Sequence, residues 1–125
     1  MDLSKLFYAE SHEWADLQGS ICTVGITQYA VDQLTDVTHI QLPKVSAPVT
    51  AGKPFGEIES VKAVFDLNSP MSGEIIEVNE AVRKDPTLVS SDPYGKGWMI
   101  RIKVAQESTS HLMNLTKYND QLAAH

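Results

Sequence analysis

The sequence predicts a mainly β fold of antiparallel strands, on three observations. First, apolar and polar residues alternate with a period of two over much of the stretch 21–104, which is typical of strands that bury one face. Second, turn-forming residues separate the apolar runs, as at Gly52-Lys53-Pro54 and Asp92–Gly95. Third, this period is broken in two places only, at 27–34 and in the tail from about residue 106, where we expect helices.

Three strands illustrate the alternation. The last strand is predicted to direct alternate residues to the core and to solvent: Trp98, Ile100, Ile102 and Val104 inward, and Met99, Arg101 and Lys103 outward. Two earlier segments follow the same rule: Ile76 and Val78 inward between Glu77 and Asn79, and Ile40 and Leu42 inward around Gln41. The pattern predicts many short strands rather than a few long ones.

The first helix is expected near residues 28–34, because Thr27 can cap its amino terminus. Its buried residues would be Ala30, Val31 and Leu34. The carboxyl-terminal helical tail is expected at about 106–124. There Ser108 or Ser110 could start a helix that turns Leu112, Met113 and Leu115 inward, with a last turn from Thr116 to Ala124.

Size and charge limit the functions to consider. A chain of 125 residues fits one domain, 1–125. A net charge of −6 without a run of basic residues disfavours nucleic acid as a partner. Cys22 is the only cysteine, so no internal disulfide or cysteine metal pair is expected. No apolar window is long enough for a membrane helix. We expect no membrane association, no targeting segment, no metal, and a monomer.

The stretch 55–67 is the most informative for function. Two strand-like segments meet at Ser60–Ala63 without a Gly or Pro between them, which predicts a tight hairpin with Lys62 at its exposed tip. For an arbitrary lysine, a solvated charge is the ordinary interpretation. The surroundings of Lys62 favour a specific role.

These surroundings resemble the lipoyl-attachment motif of the glycine cleavage system H protein family, residue by residue at Glu59, Ser60, Val61, Lys62 and Ala63. Other stretches match the family in order and approximate spacing: Ser11-His12-Glu13-Trp14, Thr23–Thr27, Asn68–Pro70, Ser72–Glu74, Glu77–Asn79, Asp92–Tyr94 and Gly97-Trp98. The segment 34–43 departs from the family pattern, since polar Thr38 and His39 replace an apolar pair and Gln41 replaces an acid.

The resemblance implies a flattened barrel-sandwich hybrid of two antiparallel sheets, with a lipoyl-like core at about 8–104. It implies covalent lipoate on Lys62 and a non-catalytic swinging-arm role in glycine catabolism and one-carbon metabolism. The arm would carry an aminomethyl group from glycine decarboxylase (P protein) to aminomethyltransferase (T protein), and then be reoxidised by dihydrolipoyl dehydrogenase (L protein). A lipoate-attaching enzyme is a further implied partner.

The resemblance also implies a cleft that protects the loaded arm, formed by Ser11, Glu13, Leu34 and Asp66. Glu13 and Asp66 would pair with the cationic aminomethyl nitrogen, because a buried ammonium needs carboxylate partners. The expected compartment is the bacterial cytoplasm, or the mitochondrion in a eukaryote.

Two alternatives remain open. The first is an H-like lipoyl carrier in lipoate relay or sulfur oxidation, and the second is an unmodified β scaffold domain. Biotin carriage is disfavoured, because Val61 and Ala63 flank Lys62 where methionines are expected. A serine hydrolase is disfavoured because Ser60 lacks the G-x-S-x-G turn.

Overall fold

The computed structural model describes residues 2–34, 36–105 and 109–124. Its nine strands and four helices, in chain order, are β1 (Phe7–Tyr8), β2 (Glu13–Gln18), β3 (Ile21–Ile26), α1 (Gln28–Gln33), β4 (Val37–Gln41), β5 (Pro48–Val49), β6 (Pro54–Ser60), β7 (Val64–Asn68), β8 (Gly73–Val78), α2 (Glu80–Lys84), α3 (Leu88–Ser91), β9 (Ile100–Val104) and α4 (Leu115–Ala123). A 3₁₀ turn spans Leu3–Lys5.

The strands form two antiparallel sheets, as the sequence predicts. One sheet has six strands in the order β1-β2-β3-β9-β8-β5, and the other has three in the order β4-β6-β7. Apolar residues from both sheets meet in a common core, with Val24 and Ile102 from the larger sheet and Ile40 and Ile58 from the smaller one. Burial of each such side chain contributes about 1.5 to 3 kcal/mol, so the core holds the two sheets together.

The alternation predicted for the last strand is confirmed from Ile100 to Val104, where Ile100, Ile102 and Val104 are buried. The prediction for Met99 is wrong, because its side chain is fully buried. The strand begins only at Ile100, so the alternation does not extend back to this residue. Trp98 is only partly buried, and the Arg101 guanidinium lies 4.0 Å from the centre of its ring.

The predicted alternation in β8 is also wrong, because Ile76 is exposed while Ile75 and Val78 are buried. The pairing of β8 with β9 shifts between Ile75 and Glu77. A β-bulge at this point adds one residue and reverses the faces of the residues that follow. Asn79, predicted outward, is buried and caps α2 by accepting a hydrogen bond from the Ala81 amide.

The prediction of the first helix is confirmed. Thr27 caps α1 by accepting a hydrogen bond from the Ala30 amide at 3.3 Å. Val31 and Leu34 are buried, and Ala30 is partly buried against the core. A helical tail is present, but its predicted start is wrong within the described residues. Asn114 caps α4, whose first residue is Leu115.

The residues just before α4 form a turn and a bridge to β1 instead of a helix. The Leu112 amide donates to the Thr109 carbonyl at 2.9 Å, and Met113 and Tyr8 exchange two backbone hydrogen bonds of 2.8 Å, so pairing of Met113 with β1 takes the place of a helical turn. Ser108 lies outside the described residues, and Ser110 lies in a turn. In the described ranges, no helix combines the length and the apolar character needed to cross a membrane.

Candidate functional site

The hairpin between β6 and β7 presents Lys62 to solvent. Ser60 is the last residue of β6, and its amide donates a 2.8 Å hydrogen bond to the Ala63 carbonyl, closing a three-residue turn. The Val61 amide donates to the Asp36 carbonyl at 3.1 Å. These two bonds fix the backbone on both sides of the tip, while the Lys62 side chain is exposed.

The apolar side chains around Lys62 are unusually exposed. The exposed fractions of Val61, Val64 and Phe65 are 66%, 57% and 46%. Phe65 also lines the cleft described next. Val64 and Phe65 are neighbours in β7 and face opposite sides of the strand, so Phe65 is the exposed apolar residue that connects the hairpin to this cleft.

The cleft lies beside the hairpin and has a volume of about 550 Å³. Its walls are the turn before β2, the helix α1, the end of β3, and the strands β6 and β7. The structure brings to this cleft the four residues grouped by the sequence analysis: Ser11, Glu13, Leu34 and Asp66.

Glu13 is the chemically distinctive residue of the cleft, with only 1% of its surface exposed. The Ser11 hydroxyl donates to its Oε1 atom, and the Asn68 amide donates to Oε2 at 3.1 Å. Burial is the largest influence and raises the pKa of the Glu13 carboxyl to about 7, although these hydrogen bonds act in the opposite direction. The carboxyl therefore changes charge near neutral pH.

The other two predicted cleft residues differ in setting. Leu34 follows α1 and is buried, so it supplies apolar wall. Asp66 is exposed and pairs in register with the exposed Glu57 of β6. The alternation of β7 places Phe65 and Leu67 on the opposite face from Asp66, and β7 is an edge strand. Asp66 therefore lies at the exposed rim of the cleft.

The sequence analysis missed several residues of the cleft wall. Tyr29 and Gln33 lie on the same face of α1 as Ala30 and Leu34. Their spacing of three to five residues along the predicted helix could have revealed them. Asn68 contributes through its backbone amide, which no side-chain pattern can reveal.

Thr35, which stands where the resembled family has glycine, lies outside the described residues. The other departures in the segment 34–43 do not line the cleft. Thr38 and His39 are exposed on β4, where the pairing with β6 shifts between Val37 and His39. Gln41 is also exposed. Among the described residues of this segment, Leu34 alone lines the cleft, so the polar replacements leave its wall unchanged.

Comparison with known proteins decides the family. The family model "Glycine cleavage H-protein" matches residues 6–125. This chain belongs to the glycine cleavage H-protein family. The H protein of Rubrobacter xylanophilus is 51% identical over 102 residues, which are 82% of this chain and 81% of that protein. A mitochondrial H protein of Arabidopsis thaliana is 46% identical over 118 residues, covering 94% of this chain and 76% of that protein.

A solved structure supports the same assignment. The crystal structure of an H protein from Mycobacterium marinum is similar with a TM-score of 0.89 and 38% sequence identity. The match covers 96% of this chain and 98% of that chain. The family assignment and the barrel-sandwich fold predicted from the sequence are both confirmed.

Proposed function

We propose that this H-protein family member is a non-catalytic carrier whose Lys62 is lipoylated, and that the arm moves between the solvent and the cleft. One observation carries the proposal: an exposed lysine at a rigid hairpin tip lies next to a cleft with a buried carboxylate. In this proposal Glu59, Ser60, Val61 and Ala63 are the attachment motif read by the lipoate-attaching enzyme.

The residues around the tip suit a lipoyl group. Amide formation at Lys62 would remove its positive charge, leaving an arm that is apolar along most of its length. Val61 and Val64 are exposed apolar residues beside the tip, and Phe65 supplies apolar surface at the cleft. Phe65 and Asp66 follow Lys62 by three and four residues, which corresponds to roughly 10 to 13 Å along an extended strand. A flexible arm attached to Lys62 can cover this distance.

When attached, the lipoyl group supplies a disulfide that can accept the aminomethyl group derived from glycine. The chain would supply positioning and protection from water. Tethering makes transfer at each partner nearly intramolecular, so no acid, base or nucleophile of the chain is required. The proposed partners are glycine decarboxylase, aminomethyltransferase and dihydrolipoyl dehydrogenase.

The cleft suits a cationic end on the arm. An ammonium near Glu13 would favour the ionised carboxylate and lower its pKa below the value of about 7 found in the empty chain. Asp66 at the rim would contribute a second negative charge. The apolar wall, including Leu34, would exclude water from the bound group.

Intact-mass measurement and peptide mapping test the attachment directly. The chain is incubated with lipoate, ATP and a lipoate ligase, and the wild type is compared with the Lys62→Arg variant. We expect one lipoyl adduct on Lys62 and none on the variant. A wild type without an adduct, with a known lipoyl domain modified in the same mixture, would favour the unmodified scaffold.

A further inference from the structure

Beyond the cleft itself, a hydrogen-bonded link connects the carboxyl-terminal helix α4 to the segment that carries Ser11 and Glu13. The Tyr118 hydroxyl lies 2.8 Å from His12 Nδ1 and 2.6 Å from Thr27 Oγ1. Tyr118 is 106 residues from His12 and 91 from Thr27 in sequence. Three distant parts of the chain therefore meet at one hydroxyl group.

His12 is the strained member of this link. Its φ angle is 75°, in the left-handed region, which is unfavourable for a residue other than glycine. The strain falls between Ser11 and Glu13, the hydrogen-bonded pair of the cleft. A strained backbone persists only where its surroundings hold it. Tyr118 helps to keep the His12 backbone in this conformation, together with the Tyr29 ring, whose centre lies 4.6 Å from that of His12.

Thr27 connects the same hydroxyl to the helix α1, and its amide also donates to the His12 carbonyl at 2.9 Å. Its Oγ1 atom caps α1, the helix that contributes Tyr29 and Leu34 to the cleft. The Tyr118 hydroxyl can donate to His12 while it accepts from Thr27, or donate to Thr27 while it accepts from His12. Burial raises the pKa of Tyr118 to about 12, so the hydroxyl keeps its proton under ordinary conditions.

The Tyr118 ring is fixed independently of its hydroxyl. It is 3% exposed and stacks on Tyr8, with ring centres 4.7 Å apart and an interplanar angle of 9°. Tyr8 has its own hydrogen bond, which its hydroxyl donates to the Leu3 carbonyl at 2.6 Å. The two tyrosines share one stack, but only the Tyr118 hydroxyl reaches the walls of the cleft.

We infer that Tyr118 is a positioning residue for the cleft: its hydroxyl holds the strained His12 segment and the start of α1 together, and so keeps Ser11 and Glu13 in place. This inference deepens the proposed function, because it assigns the integrity of the arm cleft to the carboxyl-terminal helix. Its test uses the unmodified chain, so failure of lipoylation would not affect the result.

The decisive comparison is between Tyr118→Phe and Tyr8→Phe. Both variants keep the aromatic stack and lose one buried hydroxyl. In Tyr118→Phe we expect water to enter around Glu13, so that the pKa of its carboxyl falls from about 7 toward the ordinary value of 4.5. Carbon NMR of labelled glutamate measures this pKa. Amide hydrogen exchange at Asn68, which donates to Glu13, should become faster. Tyr8→Phe should leave both quantities unchanged.

A His12→Ala variant breaks the same link from its other end. It should lower the pKa of Glu13 as well, although it also removes the ring contact with Tyr29. Adding Tyr118→Phe to it should produce little further change, because the hydrogen bond between His12 and Tyr118 is already lost. Equal effects of Tyr118→Phe and Tyr8→Phe, no effect of Tyr118→Phe, or full additivity with His12→Ala would overturn the inference. If Tyr118→Phe does not fold, the pKa of Glu13 is compared between His12→Ala and Tyr8→Phe. A lower pKa in His12→Ala alone would support the inference, and equal values in the two variants would overturn it.

Discussion

The two ends of the candidate site differ in almost every physical property. At the hairpin tip, Val61 is 66% exposed and Lys62 projects into solvent. At the cleft, Glu13 is 1% exposed and both of its carboxyl oxygens accept hydrogen bonds. Phe65, only three residues after Lys62, already lines the cleft.

This difference indicates how a carrier can divide its tasks. The proposed function requires that several enzymes reach the tip, and the tip buries little surface and contributes little to stability. It also requires that the cleft exclude water, and the cleft is built into the packed core, where buried polar groups carry an energetic cost. Substitutions at the tip should therefore change function and leave stability unchanged. Substitutions at the cleft should change both function and stability.

The largest effect is expected at Trp14, the residue after Glu13. Its side chain is fully buried, and a Cβ atom on Gly25 would come within 2.6 Å of its ring. Its Nε1 donates to the Pro93 carbonyl at 3.0 Å. Trp14→Ala should lower the free energy of unfolding by about 3 to 5 kcal/mol in urea denaturation. Trp98→Ala is the matched control and should lower the free energy of unfolding much less, because Trp98 is only partly buried. Equal losses in the two variants would contradict the placement of the Glu13-Trp14 segment in the packed core.

The next effect is a pH dependence that comes from Glu13. The folded carboxyl holds its proton up to about pH 7, whereas the unfolded one releases it above 4.5. Its contribution to stability is therefore complete below 4.5 and is lost as the pH rises through 7, a difference of about 3 kcal/mol. In Glu13→Gln the amide oxygen can accept from the Asn68 amide and the amide nitrogen can donate to the Ser11 hydroxyl, and this side chain does not titrate. Between pH 5 and pH 8, the free energy of unfolding of this variant should rise relative to that of the wild type by most of these ~3 kcal/mol.

Urea denaturation of both proteins across this pH range measures the difference, and other titrating groups cancel in the comparison. Parallel curves for wild type and Glu13→Gln would show that Glu13 does not titrate near neutrality. The cleft would then lack the titrating buried carboxyl that distinguishes it from the exposed tip.

A smaller effect is expected at the cap of α1. Thr27→Ala removes the acceptor for the Ala30 amide and the hydrogen bond with the Tyr118 hydroxyl, and should lower the free energy of unfolding by about 1 to 2 kcal/mol. Thr27→Ser retains the hydroxyl and should recover most of this loss. If both variants lose the same stability in thermal and urea denaturation, the methyl group and not the cap is what matters at this position.

The smallest effect is expected at the tip. Val61→Ser should change the free energy of unfolding by no more than about 0.5 kcal/mol, because the side chain is largely exposed. Lys62→Arg should behave in the same way. A loss of several kcal/mol in either variant, measured by urea denaturation, would contradict the placement of the hairpin tip in solvent.

The sequence predicted those parts of the fold that depend on local patterns. The hairpin at Ser60–Ala63, the Thr27 cap and the antiparallel strands follow from period, turn residues and capping chemistry, whereas the arrangement in two sheets was implied by the family resemblance. The bulge at Ile76 and the buried Met99 were not predicted, because both depend on how β8 and β9 pair. The start of α4 was missed because tertiary pairing of Met113 with Tyr8 competes with helix formation.

The candidate site was predicted as a set of residues, but its organisation was not. The motif match selected Ser11, Glu13, Leu34 and Asp66, which the structure places around one cleft. The strain at His12 and its link to Tyr118 are invisible in the sequence, since they join residues 106 positions apart. Backbone donors such as the Asn68 amide are equally invisible, because every residue other than proline has one.

Transfer of a glycine-derived carbon tests the central claim most directly. The lipoylated wild type, with Lys62→Arg as the control, is incubated with glycine decarboxylase and glycine labelled at its methylene carbon, and the chain is then measured by intact mass. We expect the label on the wild type, mapped to the modified Lys62, and none on the variant. A lipoylated wild type that takes up no label from an active decarboxylase would contradict the account and favour an H-like carrier in lipoate relay or sulfur oxidation.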